Sequence, residues 1–173
     1  MAWWRLQKIE EITVSVAEVT RSAADEALWF GNTLVKIRLS SDAGEDRICV
    51  IEHLAAYGDS PPLHVHRNED EVFQILEGTL TFRVDASNRT AEAGEALVAP
   101  KGVPHTYRVE SAAGARFLTI TRGSDLETML RAASRPASSC VLPEVTTPTP
   151  EMVEGLVRIA AANGIDIVGP PLV

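Results

Sequence analysis

The sequence predicts a mainly β fold, a sandwich or barrel of short strands that is followed by short C-terminal helices. Between about residues 34 and 121, runs rich in β-branched and aromatic residues alternate with Gly, Pro and Asp turn signals. After Gly123, the spacing of the apolar residues changes from the period of a strand to that of a helix. Many short strands with regular turn signals are typical of a β-sandwich or a barrel.

The β-rich part of the chain contains several predicted strands. In chain order, they cover residues 34–39, 47–52, 72–76, 80–84, 96–99, 106–109 and 116–120. The turn-forming segment 41–44 joins the first two strands, and Glu77-Gly78-Thr79 predicts a hairpin between the third and the fourth. The strand over 80–84 alternates apolar and polar residues, which indicates one buried and one exposed face.

Two helices are predicted in the C-terminal part. Ser124 and Glu127 form a capping box at the start of the first helix. Thr149-Pro150 supplies the N-cap and a first-turn proline of the second helix, and Asn163-Gly164 ends it. A proline-rich connector over 135–150 lies between them. The apolar residues that we expect to be buried are Leu126, Met129, Leu130 and Ala133 in the first helix, and Met152, Val153, Leu156, Ile159 and Ala160 in the second.

The composition indicates an ordinary soluble globular chain. Of its 173 residues, 45% are hydrophobic and 23% are charged. The formal net charge of -8, with 16 Lys and Arg against 24 Asp and Glu, argues against nucleic acid as a partner. No apolar run approaches the roughly 18 residues that cross a membrane. The N-terminus lacks the apolar core of a signal peptide. The two cysteines, Cys49 and Cys140, form neither a disulfide framework nor a CxxC site, so we expect a cytoplasmic location.

Three of the four histidines and one glutamate form a pattern that suits metal binding. His64 and His66 are two residues apart, so on an extended strand both imidazoles point to the same face. Glu71 follows a polar bend that can return its carboxylate to the two imidazoles. His105 follows prolines and a glycine that can turn a distant strand towards the same point. No spacing connects His53 with the others, and we expect it to be a half-buried strand histidine.

Three neutral imidazoles and one carboxylate suit one divalent first-row transition ion, whether Fe, Mn, Ni, Co, Cu or Zn. The lack of thiolates argues against a structural Cys-rich zinc site. Four protein ligands would leave coordination positions open for water, substrate or dioxygen. The alternative is that the four residues are polar strand residues satisfied by the backbone.

The two segments that carry these residues resemble the cupin superfamily. Gly58, five residues, His64-Val65-His66, four residues, Glu71, six residues and Gly78 match its first motif. Gly94, five residues, Pro100-Lys101-Gly102, two residues and His105 match the second, except that Val109 stands where the family usually has Asn. The resemblance implies a single-domain cupin, a double-stranded β-helix or jelly-roll barrel. It would span residues 31–123, with an N-terminal strand or arm over 1–30 and a helical extension over 124–173 that packs on the barrel.

A finer resemblance is to bacterial quercetin 2,3-dioxygenase-like cupins. It rests on the runs 57–66 and 163–172. That subfamily cleaves flavonol rings with dioxygen at a divalent metal, and its first-motif glutamate is both ligand and base. Glu71 would therefore hold both roles here. The resemblance implies a metal-dependent dioxygenase acting on a small cyclic or aromatic substrate. The alternatives are an isomerase or lyase that uses the same ion as a Lewis acid, and a non-catalytic small-molecule-binding cupin.

Two aromatic residues share strand parity with the metal-binding pattern. Phe73 lies on the same face of its strand as Glu71, and Tyr107 on the same face as His105, so both should face the barrel interior. They are candidates for substrate binding, and the plainer alternative is that they belong to the core.

The remaining predictions concern assembly and the polar bend. An open-ended barrel leaves sheet edges that must be covered, so we expect a homodimer with Trp3 and Trp4 at its interface. Glu69 and Asp70 are interpreted as solvated bend residues.

Overall fold

A computed structural model of the protein describes residues 26–173, and the predicted mainly β fold with short helices is confirmed. The strands are, in chain order, β1 Ala27–Phe30, β2 Thr33–Leu39, β3 Ile48–Ala55, β4 Pro62–His66, β5 Glu71–Glu77, β6 Thr79–Val84, β7 Ser87–Glu92, β8 Ala96–Ala99, β9 His105–Val109, β10 Ala115–Arg122, β11 Arg135–Pro136 and β12 Ile165–Pro171. The helices are α1 Asp125–Ala133 and α2 Pro150–Ala162. All of the predicted strands are present, with bounds that differ by a few residues.

The strands form two antiparallel sheets. A seven-stranded sheet has the order β11-β1-β2-β3-β10-β5-β8, and a five-stranded sheet has the order β12-β4-β9-β6-β7. From β3 to β10 the chain changes sheet at almost every connection, so strands that are far apart in sequence become neighbours. The register pairs His64 of β4 with His105 of β9. This topology joins two segments that are about forty residues apart in the sequence.

The predicted hairpin at Glu77-Gly78-Thr79 is wrong. β5 pairs with β10 and β8, whereas β6 pairs with β7 and β9, so this turn carries the chain from one sheet to the other. Gly78 has φ 86°, and a Cβ there would lie 2.6 Å from the carbonyl oxygen of Gly114. Only glycine fits this crossing, because both the left-handed backbone and the close approach exclude a side chain.

Two apolar clusters hold the layers together. One fills the space between the two sheets and is rich in aromatic side chains; it contains Phe73, Phe82, Tyr107 and Phe117. The other joins the seven-stranded sheet to α1, α2 and the start of β12. The predicted apolar stripe of α2 is only half right. Ala160 is buried and Leu156 and Ile159 are partly buried, whereas Met152 and Val153 are exposed, because the residues of α2 that pack against the protein lie from Gly155 onward.

The helix starts differ in how far they follow the sequence prediction. Thr149 caps α2, because its hydroxyl accepts a hydrogen bond from the amide of Met152. The capping box of α1 is wrong, since the Ser124 side chain makes no capping hydrogen bond. Glu127 instead accepts hydrogen bonds from the amide of Ser41 (2.7 Å) and from the hydroxyl of Ser40 (2.9 Å). The buried Glu127 carboxylate thus holds α1 against the turn after β2.

The sequence does not predict β7, β12 or the two-residue strand β11. β7 is a polar edge strand, and β12 pairs with β4 through the register Ile165↔His66 and Ile167↔His64. β12 therefore lies directly beside the strand that carries two of the histidines. The predicted N-terminal arm contributes β1, but residues 1–25, with Trp3 and Trp4, lie outside the described residues. Within residues 26–173, neither helix combines the length and the hydropathy that crossing a membrane requires.

Candidate metal centre

The structure brings His64, His66, Glu71 and His105 together at one point. β4 supplies the first two residues, the start of β5 supplies Glu71, and the start of β9 supplies His105. Because β4 and β9 are paired strands, the imidazoles of His64 and His105 are adjacent, with ring centroids 4.4 Å apart. One ligand atom from each of the four residues lies within 4.8 Å of the others.

One carboxylate oxygen, Oε2 of Glu71, faces all three imidazoles. It lies 3.1 Å from Nε2 of His105, 3.3 Å from Nε2 of His66 and 4.0 Å from Nε2 of His64. The three histidines thus present the same ring nitrogen to the same place.

Backbone carbonyls hold two of the rings from behind. Nδ1 of His64 lies 2.8 Å from the carbonyl oxygen of Pro62, and Nδ1 of His105 lies 3.0 Å from that of Val103. A carbonyl oxygen only accepts hydrogen bonds, so each Nδ1 carries the hydrogen. This tautomer leaves the lone pair of Nε2 free to bind a metal ion, and an acceptor behind the ring in this way orients metal-ligating histidines in general.

The cluster is buried and strongly polar. His66 and His105 are 1% exposed and Glu71 is 4% exposed. Burial lowers the pKa of His64 to about 4. Burial also opposes the charge on His66, but the carboxylates of Glu71 and Glu69 outweigh it and raise the pKa of that imidazole to about 9. Burial likewise opposes the charge on Glu71, yet the facing imidazoles of His66 and His105 hold its pKa well below the usual value.

His66 is left without hydrogen bonds. Neither Nδ1 nor Nε2 of this fully buried ring forms one with any residue in the described part of the chain. A buried polar group without a partner is costly, and such a group in a native structure calls for an explanation. The cluster offers three imidazole nitrogens, one of them the unsatisfied Nε2 of His66, and one carboxylate oxygen. This set of ligand atoms fits a divalent first-row transition ion, so the cluster could hold a metal ion.

The aromatic candidates lie behind the cluster. Phe73 and Tyr107 are buried and belong to the core between the sheets. The ring centroid of Phe73 lies 6.3 Å from that of His105 and 4.9 Å from that of Phe82. Tyr107 packs edge-on against Phe117, with centroids 5.1 Å apart. Phe73 thus forms an apolar wall next to His105, and Tyr107 lies behind it in the core. A role of either residue in substrate binding stays a prediction.

His53 takes no part in the cluster. It is buried rather than half-buried, because its ring stacks on Phe117 at a centroid distance of 4.9 Å. Its Nε2 hydrogen-bonds with the hydroxyl of Thr119 at 3.0 Å. Burial lowers the pKa of His53 to about 4, so the ring is neutral at physiological pH.

The interpretation of Glu69 as a solvated bend residue is wrong. Glu69 is only 2% exposed, and its carboxylate accepts hydrogen bonds from the amides of Asp125 (2.8 Å) and Leu126 (3.0 Å) at the start of α1. Asp70 is exposed as expected, although it accepts a hydrogen bond from the amide of Lys101. No local signal distinguishes these neighbouring acids, because the partner of Glu69 is a helix more than fifty residues away.

Comparison with known proteins agrees with this geometry. Residues 50–121 match the family model described as "Cupin domain". Over 91 residues, the chain is 29% identical to the quercetin 2,3-dioxygenase of Bacillus subtilis (strain 168), an alignment that covers 53% of this chain and 27% of that enzyme. The chain thus spans about a quarter of this curated relative.

Solved structures show the same architecture. A predicted oxalate decarboxylase from Thermotoga maritima superposes with a TM-score of 0.54 at 21% identity, covering 59% of this chain and 96% of that one. A variant of the oxalate decarboxylase of Bacillus subtilis gives a TM-score of 0.51 at 15% identity, covering 57% of this chain and 27% of the other. At these identities the likeness shows the fold, which hosts several activities.

Proposed function

Because the chain belongs to the cupin superfamily, we propose that it is a metal-dependent dioxygenase acting on a small cyclic or aromatic substrate of the flavonol type. The observation that carries the proposal is the convergence of three histidine Nε2 atoms on Oε2 of Glu71, in a buried cluster where His66 has no hydrogen-bonding partner among the described residues. The similarity to a quercetin 2,3-dioxygenase supports the choice of reaction.

His64, His66, Glu71 and His105 would hold one divalent ion, whether Fe, Mn, Ni, Co, Cu or Zn. When bound, the ion supplies Lewis acidity and open coordination positions for the reactants. The sheets supply the rest. They position the ligands rigidly and enclose them on one side with the apolar wall of Phe73.

Glu71 is proposed as both a ligand and the general base. The contacts with His66 and His105 keep the carboxylate ionised at neutral pH. Oε2 would accept the proton of a substrate hydroxyl after moving away from these imidazoles, because the contacts that lower its pKa also weaken it as a base. Substrate deprotonation would convert the substrate into an anion and leave Glu71 neutral, which preserves the total charge of the cluster. Phe73 and Tyr107 are proposed to face the substrate, since Phe73 lies beside His105 and Tyr107 packs against Phe73 in the interior of the barrel.

The test is an oxygen-uptake screen on protein loaded separately with each candidate metal. With a flavonol such as quercetin, we expect oxygen consumption that stops when the metal is chelated and returns with one of the ions. A reaction that proceeds equally well without oxygen would point instead to an isomerase or lyase. A melting temperature that rises with ligand, without any product, would point to a binding cupin. Either result would overturn the dioxygenase proposal.

We further propose that the protein is a homodimer. Val50, Ile120, Val72 and Val98 are cross-strand neighbours that form an apolar row across four strands, on the face of the seven-stranded sheet that points away from the barrel interior. Val98 is exposed and the other three are partly exposed. A continuous apolar row on a protein surface marks an interaction site. Light scattering should give the mass of two chains. Ile120→Lys should give the mass of one, whereas Thr90→Lys on the other sheet should leave the dimer intact. A wild-type protein with the mass of one chain contradicts the proposal.

A cytoplasmic location is proposed as well. Cys49 and Cys140 are free thiols in the structure, as expected for a protein of a reducing compartment. Cell fractionation that recovers the protein in an oxidising compartment would contradict this proposal.

A further inference from the structure

We propose that Glu69 is a positioning residue for His66, holding the ring from behind and tying the start of α1 to the metal centre. The inference deepens the proposed function and rests on its metal site. It concerns a carboxylate that is not one of the four cluster residues.

The carboxylate of Glu69 lies between the helix start and the histidine. Oε1 accepts a hydrogen bond from the amide of Asp125 (2.8 Å), and Oε2 accepts one from the amide of Leu126 (3.0 Å). The same Oε2 lies 3.8 Å from Nδ1 of His66, and both side chains are 1% exposed. The positive end of the α1 helix dipole stabilises this buried negative charge.

The other two histidines of the cluster show what this contact does. Nδ1 of His64 faces the carbonyl oxygen of Pro62, and Nδ1 of His105 faces that of Val103. Nδ1 of His66 makes no hydrogen bond with a carbonyl in the described part of the chain. The group that forms an ion-pair contact with this nitrogen is the carboxylate of Glu69. Glu69 therefore lies behind His66 where a backbone carbonyl lies behind the other two, but at 3.8 Å it makes no hydrogen bond and acts on the ring through its charge. A carboxylate behind a histidine also makes the opposite nitrogen a stronger metal ligand.

The surrounding backbone leaves room for this arrangement. Gly123 precedes α1 and lies against the Glu69 side chain, and a Cβ at that position would lie 2.9 Å from Cδ of Glu69. Any other residue at 123 would push the carboxylate away from the helix amides.

The bend that contains Glu69 is held by the same C-terminal part of the chain. The side-chain amide of Asn68 donates a hydrogen bond to Oδ2 of Asp125 (2.7 Å), and the guanidinium of Arg67 pairs with Asp166 of β12 (2.6 Å). These contacts join α1 and β12 to the segment between β4 and β5, which separates His66 from Glu71. The plain alternative is that Glu69 only caps α1 and has no effect on His66.

The affinity for zinc distinguishes the hypothesis that Glu69 positions His66 from the hypothesis that it only caps α1. We would measure the Kd of Zn²⁺ by competition with a chelator for the full chain and for Glu69→Gln. The variant keeps the shape of the side chain but loses its charge. We expect the affinity for zinc to fall by about 10–100-fold, the usual loss when the group behind a metal-binding histidine is removed.

Two control variants address stability. Glu127→Gln removes the charge of another buried carboxylate that holds α1 but touches none of the cluster residues, and Asp70→Asn changes the exposed neighbour. Glu127→Gln should lower the melting temperature without changing zinc affinity, and Asp70→Asn should change neither. The proposal is overturned if Glu69→Gln binds zinc within about twofold of the wild type, or if Glu127→Gln weakens zinc binding to the same extent as Glu69→Gln.

A second measurement distinguishes failure of this inference from failure of the metal site. Nitrogen NMR of the His66 side chain in metal-free protein reports the environment of Nδ1 directly. We expect the Nδ1 resonance to shift in Glu69→Gln and to stay unchanged in Glu127→Gln. If the wild type binds no zinc, the proposed metal function is wrong. The Nδ1 resonance then becomes the only test of whether Glu69 acts on His66. An unchanged Nδ1 signal in Glu69→Gln then overturns the role of Glu69.

Discussion

His53 and His66 are both buried strand histidines, but among the described residues only His53 has a hydrogen-bonding partner. His53, on the seven-stranded sheet, stacks on Phe117 and hydrogen-bonds with Thr119. His66, on the five-stranded sheet, makes no hydrogen bond with a described residue and faces Glu71 and Glu69 instead. His53 is a core residue whose ring packs and forms a hydrogen bond. His66 is a buried polar group whose ring nitrogens lack a hydrogen bond among the described residues. This contrast is the physical reason for placing a metal centre at His66 and none at His53.

The pKa values of the two histidines are shifted in opposite directions. Burial dominates at His53 and lowers its pKa to about 4. At His66 burial acts in the same direction, but two nearby carboxylates outweigh it and raise the pKa to about 9. In the metal-free protein a proton on His66 offsets the charge of Glu71, which is the role that a divalent ion would take. The difference shows that nearby charge, and not burial alone, distinguishes the cluster from the core.

Replacing the proposed base should have the largest effect on activity. Glu71→Gln removes the proton acceptor but leaves three histidine nitrogens, so most of the metal should remain bound. We expect turnover to fall by about 10²–10⁴-fold. Metal content and oxygen uptake would be measured on the same samples. Glu127→Gln, which changes a buried carboxylate outside the cluster, should keep both. If Glu71→Gln loses the ion, Glu71 is chiefly a ligand, and if it keeps full activity, its role as base is wrong.

Removing a ligand should have the next largest effect. Structural zinc sites bind with about 10–16 kcal/mol, so one of four ligands is worth roughly 2.5–4 kcal/mol, or about 10²–10³-fold in affinity. His105→Ala should lose this much in a chelator competition. His53→Ala should keep the affinity of the wild type while lowering the melting temperature. Equal losses in the two variants would remove the distinction between the cluster and the core.

Acid should destabilise the protein through His53. The unfolded ring takes up a proton near pH 6.5, but the folded ring does so only near pH 4. The unfolded chain thus binds more protons between these values, so the free energy of unfolding falls as the pH falls from 6.5 to 4. The loss is up to about 3 kcal/mol. Urea unfolding at pH 7 and at pH 4.5 should show a smaller pH dependence in His53→Asn than in the wild type. An equal pH dependence would show that His53 is not protected by the fold.

Metal binding should release a proton from His66. Its pKa is raised above that of a free histidine, so the metal-free cluster holds this proton below about pH 9 and loses it above. A metal ion needs the neutral ring, and its binding must displace the proton. Affinity should therefore rise about tenfold per pH unit from pH 7 towards pH 9. Calorimetry in two buffers of different ionisation enthalpy should give about one proton per ion at pH 7. Binding without proton release would contradict the assignment.

The sequence predicts the four-residue cluster because each part of the pattern is set by residues that are close together in the sequence. Two histidines at strand spacing, a carboxylate after a short bend and a histidine after a proline-rich turn each depend on a few neighbouring residues. The alternating strands are equally local, so nearly all of their bounds are close to those observed. Pairing is different. Nothing in Glu77-Gly78-Thr79 distinguishes a hairpin from a crossing between sheets, since the outcome depends on contacts with Ser111 and Gly114.

The missed polar contacts depend on partners that are distant in sequence. Glu127 has the spacing of a capping-box residue, but its carboxylate accepts hydrogen bonds from Ser40 and Ser41 in the turn after β2 instead. Glu69 resembles a solvated acid until α1 is placed against it. β12 ends in prolines and glycine and has little strand character, and it becomes a strand by pairing with β4.

Anomalous X-ray scattering from crystals of the metal-saturated protein tests the metal centre most directly. With data collected on both sides of the absorption edge of the bound metal, we expect one anomalous peak per chain, within coordination distance of His64, His66, Glu71 and His105. His53 should have no peak beside it. Metal bound elsewhere on the chain, with no peak among these four residues, would contradict the account.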